Sequence, residues 1–487
     1  MAGIGFELKK LFRRDGILST IVGGAYATVV TVGPTIMVII ALNLMYMLLP
    51  YADVGYRAKE LLSATILYVF IFALLLSGPF NILLSRYIAD MVFEERYEMI
   101  SSAIEYGGFG VAIGVAVLGI PFGFRMYYVG HFSITYILMS YMFFAGLTFS
   151  FYLMTFVTLL KEYRRIACIF FVGLALGIIS AIMVNSFIGI SPTKAILFGL
   201  MLGFNLIAVF LFAVIRRTFP DHKGEPKELF RYTKKNMKLV AANFLYLLGL
   251  YIHNFVFWAK SEYRIEISNV FVCASVYDEA TYLGMLSCIS FLVIFVVNVE
   301  TKFHTAYQNY CQAIIGAGGE DIDKCKEKMI HVLREELIHI IQIQFVVIII
   351  VFLAAMIIIP RMGMDGSIMA IFPVLSVGYF LIYLVQGMMI FLFYLDDEPG
   401  ALLTGALFAV GIFAGSMVSV HWSPELCGMG VVFGGAVGFT FVYFRLRYML
   451  IHLDEHIFCR GSIINKVKTT EEHPNEGIYP KRKEKAP

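Results

Sequence analysis

The side chains of this chain that could do chemistry are few, and they interrupt long apolar runs. His253 and Asn254 stand in such a run, which ends near Trp258 and Lys260. Histidine titrates near neutral pH, so His253 could bind a substrate or carry a proton, whereas the alternative is a histidine that hydrogen-bonds between helices for packing. Asn254 and Trp258 complete a cluster of hydrogen-bonding and aromatic groups. Ionisable groups in hydrocarbon are costly and tend to face a protein interior or a watery cavity, so this segment is a candidate transport path.

A second candidate position lies at the end of the next apolar run, in Asn298 and Glu300. Glu300 could belong to a coupling-ion site or an inner gate, or it could be an interfacial carboxylate that pairs with His304 four residues on. The other candidates for the path are Asn243, Tyr246, Tyr26 and Pro34. Tyrosine rings suit the faces of sugar rings, and Pro34 predicts a kink in the first apolar run.

The sequence contains no grouping that predicts an enzyme. There is no convincing metal constellation, no cofactor motif and no GxxxxGK[ST] phosphate loop, so we expect neither catalytic residues nor metal or cofactor ligands. None of the seven cysteines forms a CxxC pair. Cys273 and Cys427 lie near one predicted face and could pair, but the sequence does not decide this.

Composition explains where these residues must lie. Of 487 residues, 59% are hydrophobic and 15% are charged, an apolar content that a soluble chain of this size could not bury. The runs are at least about 18 residues long, as a spanning helix requires. We predict an all-α polytopic membrane protein with twelve spans, at about 18–49, 61–87, 101–124, 134–160, 165–187, 194–215, 239–260, 280–301, 337–360, 366–394, 399–420 and 424–451.

The basic residues predict the orientation of these spans. Of the 38 Lys and Arg, 31 lie in one set of alternate connections, which includes both termini, and seven lie in the other set. Positive residues concentrate on the cytoplasmic side, so we place both termini there, in the cytoplasmic membrane. The first span is expected to be retained, because it is too long for a signal peptide and lacks a clear cleavage site. The net charge of +3 gives no indication of a nucleic-acid partner.

The longest basic connection divides the spans six and six. We predict a cytoplasmic amphipathic segment at 1–17, a six-helix bundle at 18–215, a basic linker at 216–238, a second six-helix bundle at 239–451 and a partly disordered cytoplasmic tail at 452–487. Many transporters are built from two such halves with the substrate path between them. No repeat between the two halves is evident in the sequence.

The opening residues MAGIGFELKKL, followed by a long first span, resemble the PelG family of inner-membrane transporters of the Pel exopolysaccharide system. The resemblance implies membership of the multidrug/oligosaccharidyl-lipid/polysaccharide exporter superfamily, with two bundles around a central cavity that opens alternately to each side. It also implies a polysaccharide cargo rich in N-acetylgalactosamine and a role in forming the biofilm matrix. The expected partners are a cytoplasmic Pel glycosyltransferase, membrane Pel proteins that include a c-di-GMP receptor, and membrane lipids. Because the first, second, seventh and eighth helices commonly line the cavity in this superfamily, the helices of His253 and Glu300 become stronger candidates.

Other functions remain open at this point. A flippase for lipid-linked oligosaccharide or an ion-coupled drug antiporter of the same superfamily would share the fold. A membrane glycosyltransferase is a more distant alternative, because the predicted outer connections are too short to build a catalytic site easily. A scaffold within a synthase complex overlaps the first interpretation.

Overall fold

The computed structural model describes residues 32–159, 163–219, 224–260, 262, 264–316, 318–361 and 365–460. The first half of the chain is helical. Its helices are α1 Gly33–Leu48, α2 Tyr56–Phe93, α3 Glu98–Tyr128, α4 Ile134–Leu159, α5 Tyr163–Ile188, α6 Pro192–Thr218 and the short α7 Pro226–Lys235.

The second half adds one small hairpin to its helices. Helix α8, Met237–Lys260, is followed by the antiparallel strands β1, Ile265–Ile267, and β2, Phe271–Cys273. The remaining helices are α9 Ser275–Ser287, α10 Ile289–Asn298, α11 His304–Gly316, α12 Gly319–Arg361, α13 Gly366–Tyr394, α14 Glu398–Ser419, α15 Met429–Ile451 and α16 Leu453–Arg460. A π-helical turn, Val299–Phe303, joins α10 to α11.

The prediction of an all-α polytopic membrane protein is confirmed. In the described part of the chain, eleven helical segments are long and apolar enough to cross a membrane, with α9 and α10 forming one of them. Helix α1 has 16 residues, and the start of the predicted span 18–49 lies outside the described residues, so the number twelve stays a prediction. Several predicted starts differ from the structure, including two in the second half. The eighth segment begins at Ser275 rather than 280, and the ninth helix begins at Gly319 rather than 337.

The apolar surfaces of the helices explain why they need a lipid environment. Helix α12 is the extreme case, since only 11% of its most apolar 18-residue window is buried in the protein. Phe345 and Ile350 on this helix are 58% and 59% exposed. In hydrocarbon such side chains are well solvated, and a helix satisfies its own backbone hydrogen bonds. Its 43 residues span roughly 64 Å, about twice the hydrocarbon thickness, so its charged first part must project beyond the membrane.

Ion pairs define one end of the bundle, which we call the linker end. Arg96, in the turn after α2, pairs with Glu228 of α7 at 3.1 Å. Arg86 of α2 pairs with Asp396, in the turn between α13 and α14. The hairpin β1–β2 lies at the opposite end of α2 and α8, which we call the hairpin end.

Two hydrophobic clusters form the core, and they follow the two halves of the chain. One consists almost wholly of residues from α8 onward, together with Ile71 and Leu75 of α2. The other consists of residues from α1 to α6, together with Ile267, Val270, Phe271 and Cys273 of the hairpin region. Helix α2 and the hairpin therefore carry apolar contacts across the boundary. Helix α10 does so as well, since Val293, Val296 and Val297 pack against the first-half cluster.

The two halves share a packing motif that the sequence analysis did not find. Gly173 and Gly177 of α5 face Gly199 and Gly203 of α6, and a β-carbon built on Gly177 would lie 2.6 Å from the Gly199 carbonyl oxygen. In the second half, α14 and α15 meet in the same way through Gly411, Gly415, Gly430 and Gly434. Each set is a pair of GxxxG motifs, which let helix backbones approach closely in membranes. The fifth and sixth spans thus pack against each other in the same way in both predicted bundles.

Charge pairing also fixes the linker end of the second half. Asp397 has no exposed surface and caps α14 by accepting a hydrogen bond from the Gly400 nitrogen at 3.2 Å. Arg445 of α15 donates two hydrogen bonds to the same carboxylate at 2.6 and 2.8 Å. The bidentate pair compensates for burial of the charge. At the hairpin end, Cys273 and Cys427 are both buried free thiols.

Replacing Gly434 by Ala should destabilise the protein. The new β-carbon would lie 2.2 Å from the Ile412 backbone nitrogen, so α14 and α15 must move apart, at a cost of about 1–3 kcal/mol. We expect a lower thermal midpoint of the detergent-purified protein. Gly108→Ala is the matched control, because the nearest atom to its β-carbon would be 3.6 Å away. Equal midpoints for the two variants would contradict the close helix contact.

Candidate functional site

His253 joins three helices of the second half. Its side chain has no exposed surface. Nδ1 shares a hydrogen bond of 2.9 Å with the Tyr277 hydroxyl, and Nε2 shares one of 3.1 Å with the Tyr379 hydroxyl. Both ring nitrogens are therefore engaged, one of them as an acceptor if the imidazole is neutral. In this conformation His253 ties α8 to α9 and α13, and a cargo molecule would have to displace a tyrosine to reach it.

The neighbouring polar residues converge on a carboxylate that the sequence analysis missed. Asp278 is 8% exposed, in the first turn of α9. Its Oδ1 accepts a hydrogen bond from Asn254 Nδ2 at 2.8 Å, and its two oxygens accept from Trp258 Nε1 at 3.0 and 2.9 Å. Oδ2 also accepts from the Ala274 backbone nitrogen at 2.9 Å. These neutral donors and the positive end of the helix dipole stabilise the buried anion.

The predicted start of the eighth span explains why Asp278 was missed. The predicted eighth span began at 280, which left Asp278 in an outer connection, whereas the helix starts at Ser275. The signal in the sequence was the spacing of Asn254 and Trp258, which puts an amide and an indole on one face of α8. Both groups are donors that need an acceptor when buried.

The same cluster leaves polar oxygens available for a ligand. Asn254 is 1% exposed and Thr281 is 4% exposed. Among the described residues, neither Asn254 Oδ1 nor Thr281 Oγ1 has a hydrogen-bond partner. Buried polar atoms are normally paired, so these two acceptors are suited to a hydroxyl or amine donor that enters the cluster.

The remaining predicted residues of α8 lie deeper along the helix. Asn243 Nδ2 donates a hydrogen bond to the Gly78 carbonyl of α2 at 3.0 Å. Asn243 therefore lies in the seam, the contact between α2 and α8 where the two halves meet. Tyr246 turns instead into the second half, where its hydroxyl donates to Gln386 Oε1 at 3.3 Å and its ring stacks on Phe408. The structure thus spreads the α8 residues along the helix and does not gather them at one point.

The predicted residues at the linker end lie beside an irregular turn. Asn298 is 9% exposed, and its Nδ2 has no partner among the described residues. The π-helical turn Val299–Phe303 follows directly, and such turns often occur at functional sites. The backbone of Glu300 belongs to this turn, but its side chain lies outside the described part, as does the proposed pairing with His304. Lys302 in the same turn pairs with the buried Glu336 of α12 at 2.6 Å.

The two predicted residues of the first span are less informative. Pro34 is buried in the first turn of α1, where a proline is compatible with helix geometry. A kink at Pro34 would involve the preceding residues, which lie outside the described part of the chain. Tyr26 lies outside it as well.

A polar network closes the seam at the linker end, and the sequence analysis did not find it. Arg86 of α2 pairs across the seam with Asp396, whose side chain is 32% exposed. One turn further along α2, Asp90 accepts a hydrogen bond from the Tyr232 hydroxyl of α7 at 2.6 Å. Burial and this hydrogen bond raise the pKa of the Tyr232 phenol. Helix α7 therefore contacts the same end of α2 that carries the Arg86–Asp396 ion pair.

Comparisons with solved structures show which known fold this chain shares. The fold is similar to a MATE transporter crystallised with MaL6, with a TM-score of 0.59 and 14% identity over 93% of this chain and 100% of that one. An outward-facing multidrug-resistance MATE transporter of the MOP superfamily gives a TM-score of 0.59 at 15% identity, over 93% and 99%. A MOP superfamily transporter from Pyrococcus furiosus gives 0.60 at 13% identity, over 91% and 98%. At these identities the likeness defines a MATE-type transporter fold.

The sequence then identifies the family. Residues 1–458 match the family model of PelG, described as an exopolysaccharide exporter, EPS-E. The chain belongs to this family, which confirms the resemblance of its opening residues. A search of curated protein sequences finds no match. The family and the fold are those of transporters, so the prediction that the chain is not an enzyme is confirmed.

Removing the carboxylate of Asp278 should destabilise the part of α8 at the hairpin end. Asp278→Ala leaves the Trp258 N–H, an Asn254 N–H and the Ala274 N–H buried without their acceptor, at a cost of at least about 2 kcal/mol. The thermal midpoint of the purified protein should fall clearly. Glu279→Ala is the control, because the adjacent Glu279 is exposed. A midpoint for Asp278→Ala that matches the control would show that the cluster does not stabilise the fold.

Proposed function

We propose that this protein exports a Pel-type exopolysaccharide, rich in N-acetylgalactosamine, across the cytoplasmic membrane and so supports formation of a biofilm matrix. The family match over residues 1–458 carries the proposal. The proposed partners are a cytoplasmic Pel glycosyltransferase and membrane Pel proteins that include a c-di-GMP receptor. The asymmetry of Lys and Arg supports cytoplasmic placement of both termini and of the linker end.

The proposed mechanism is alternate opening of the seam between two bundles, 18–215 and 239–451, joined by the linker 216–238. The separation of the core into two clusters supports this division. Polar contacts that cross the seam at Arg86–Asp396 and at Asn243–Gly78 would break and re-form as the halves move. Neither contact is deep within one core, so breaking it leaves both clusters intact.

The proposed path runs along α8 towards the hairpin end. Asn243, Asn254 and Trp258 lie on this helix, and the unpaired oxygens of Asn254 and Thr281 suit the hydroxyl and amide donors of an amino sugar. Asn298 and Glu300 are proposed to contact the cargo near the linker end. His253 and Tyr246 are proposed to shape the wall of the path, because their polar atoms are already bonded within the second half.

Deletion of the gene tests the export function. Secretion of the amino-sugar polymer should stop, while cell extracts supplied with nucleotide sugar should still polymerise it. The measurement is polymer content of the medium and of the extract reaction. Loss of polymerisation in extracts as well would mean that the chain is catalytic or is needed to assemble the synthase.

A charge exchange tests the role of the linker-end ion pair. Arg86→Asp places two carboxylates together at a half-buried site, so export should fall to about a tenth or less. Adding Asp396→Arg restores opposite charges and should recover most of the export at equal membrane abundance. Arg96→Asp is the control, because Arg96 is 40% exposed and pairs with Glu94 and Glu228 away from the seam. Failure of the exchange to restore export would contradict a gating role for the pair.

A further inference from the structure

The hairpin β1–β2 belongs to the second half of the chain but is buried in the first half. Phe271 is 1% exposed and Val270 is 3% exposed, and both belong to the core cluster of α1–α6. The Phe271 ring makes edge contacts with Phe122 of α3 and Phe132 at centroid distances of 5.4 and 6.3 Å. The hairpin therefore crosses the seam and seals it at the end opposite to Arg86 and Asp396.

A single tyrosine of α2 makes the two short polar contacts of this seal. The Tyr68 hydroxyl donates a hydrogen bond to the Val272 carbonyl at 2.7 Å and accepts one from the Val272 nitrogen at 3.1 Å. Its ring stacks on Trp258 of α8 at 4.8 Å, with the planes 3° apart. Tyr68 thus holds both strand β2 and the last turn of α8 from the opposite half.

The hydrogen bonding of the hairpin suits a segment that moves as a unit relative to the first half. The two strands have three residues each and pair with one another, so the hairpin keeps its own hydrogen bonds if it leaves the first half. Ser268 and Asn269 in its turn have φ angles of 51° and 56°, the left-handed geometry of a tight turn. Among the described residues, the hydrogen bonds to the first half are those of Tyr68 and a long one, 3.4 Å, from Arg125 to the Asn269 carbonyl. Releasing the hairpin from the first half therefore breaks few hydrogen bonds.

The hairpin lies next to the proposed path. A recess of about 310 Å³ opens beside it and is lined by Phe255, Trp258, Ala259, Arg264 and Val272. Val272 and Trp258 belong both to this recess and to the Tyr68 contact. The Trp258 ring face that stacks on Tyr68 would be uncovered when the hairpin and the last turn of α8 move together away from Tyr68. The indole N–H of Trp258 is bonded to Asp278.

We infer that the hairpin is the exit gate of the transporter, that Tyr68 is the latch that keeps it closed, and that opening exposes Trp258 to the departing sugar chain. The inference rests on the proposed export function for the identity of the cargo. The closed seal itself is a property of the fold, and it can be tested without cargo.

A native cysteine reports the position of the gate. Cys273 ends strand β2 and is 4% exposed, and burial raises the pKa of its thiol to about 11. Cys427 lies at the same end in the turn between α14 and α15, is 1% exposed, and has a thiol whose pKa burial raises to about 12. Both thiols should react slowly with a maleimide in the full-length protein in nanodiscs. Peptide mass mapping gives the two rates in one sample.

Tyr68→Phe should raise the labelling rate of Cys273 by about tenfold, because two hydrogen bonds to Val272 are lost while the ring remains. The Cys427 rate should not change. Tyr136→Phe is the matched control, since the Tyr136 hydroxyl is bonded to Thr65 within the first half. An unchanged Cys273 rate in Tyr68→Phe would overturn the role of Tyr68, and an equal rise at Cys427 would mean general loosening and would overturn it also.

Locking the hairpin tests whether the gate must open for export. A β-carbon built on Gly130 would lie 2.7 Å from Val270 Cγ2, so Gly130→Cys with Val270→Cys should form a disulfide across the seam, in a Cys273→Ser background. Export should stop in the oxidised protein and return on reduction. Export at the normal rate through a quantitatively cross-linked protein would overturn the gate. Absence of export by the unsubstituted chain would contradict the proposed function, while the Cys273 rates in the unsubstituted and Tyr68→Phe proteins would still report the latch.

Discussion

The architecture depends on how polar groups can be satisfied inside hydrocarbon. A helix satisfies its backbone, but each buried polar side chain must find a partner on a neighbouring helix. In this protein most such partners lie within the same half, as for His253 between Tyr277 and Tyr379 and for Asp397 with Arg445. The bonds that cross the seam are exceptional, and they determine how the halves are held together.

Helix α2 carries the short crossing bonds of the described residues, and Arg125 of α3 adds a long one to the hairpin. Tyr68 bonds to the hairpin at one end, Gly78 accepts from Asn243 in the middle, and Arg86 pairs with Asp396 at the linker end. The contact at the middle is close, because a β-carbon on Gly78 would lie 2.1 Å from Leu247 Cδ1. The structure is therefore closed along the length of α2. A transporter must open one end of such a seam at a time, and two separate polar locks at its ends allow that.

Much of this could be predicted from the sequence, because hydropathy and charge act locally. The runs of apolar residues predicted the helices. The positions of Lys and Arg predicted which connections lie on the same side of the membrane. Hydropathy could not place the start of α9, since Asp278 is polar yet lies inside the helix, and so the partner of Asn254 and Trp258 was missed. The repeat of the two halves was missed for a related reason. It resides in GxxxG motifs whose spacing is present in the sequence but whose pairing, such as Gly177 with Gly199, appears only in the folded chain.

The hairpin shows the limit of local signals most clearly. Its strands are three residues long, and Tyr68, which fixes β2, precedes Val272 by 204 positions. No periodicity in the sequence connects them, and only the folded chain brings the second half's hairpin into the first half's core. The ion pair at the linker end could not be predicted for the same reason, because Arg86 and Asp396 are 310 positions apart.

Export by this mechanism requires the halves to separate at the seam. A disulfide at the middle of the seam, from Gly78→Cys and Leu247→Cys, tests this requirement when secreted polymer is assayed before and after reduction. The oxidised protein should retain normal membrane abundance but secrete no polymer, and reduction should restore secretion. Undiminished secretion through a fully oxidised seam would contradict the proposed mechanism.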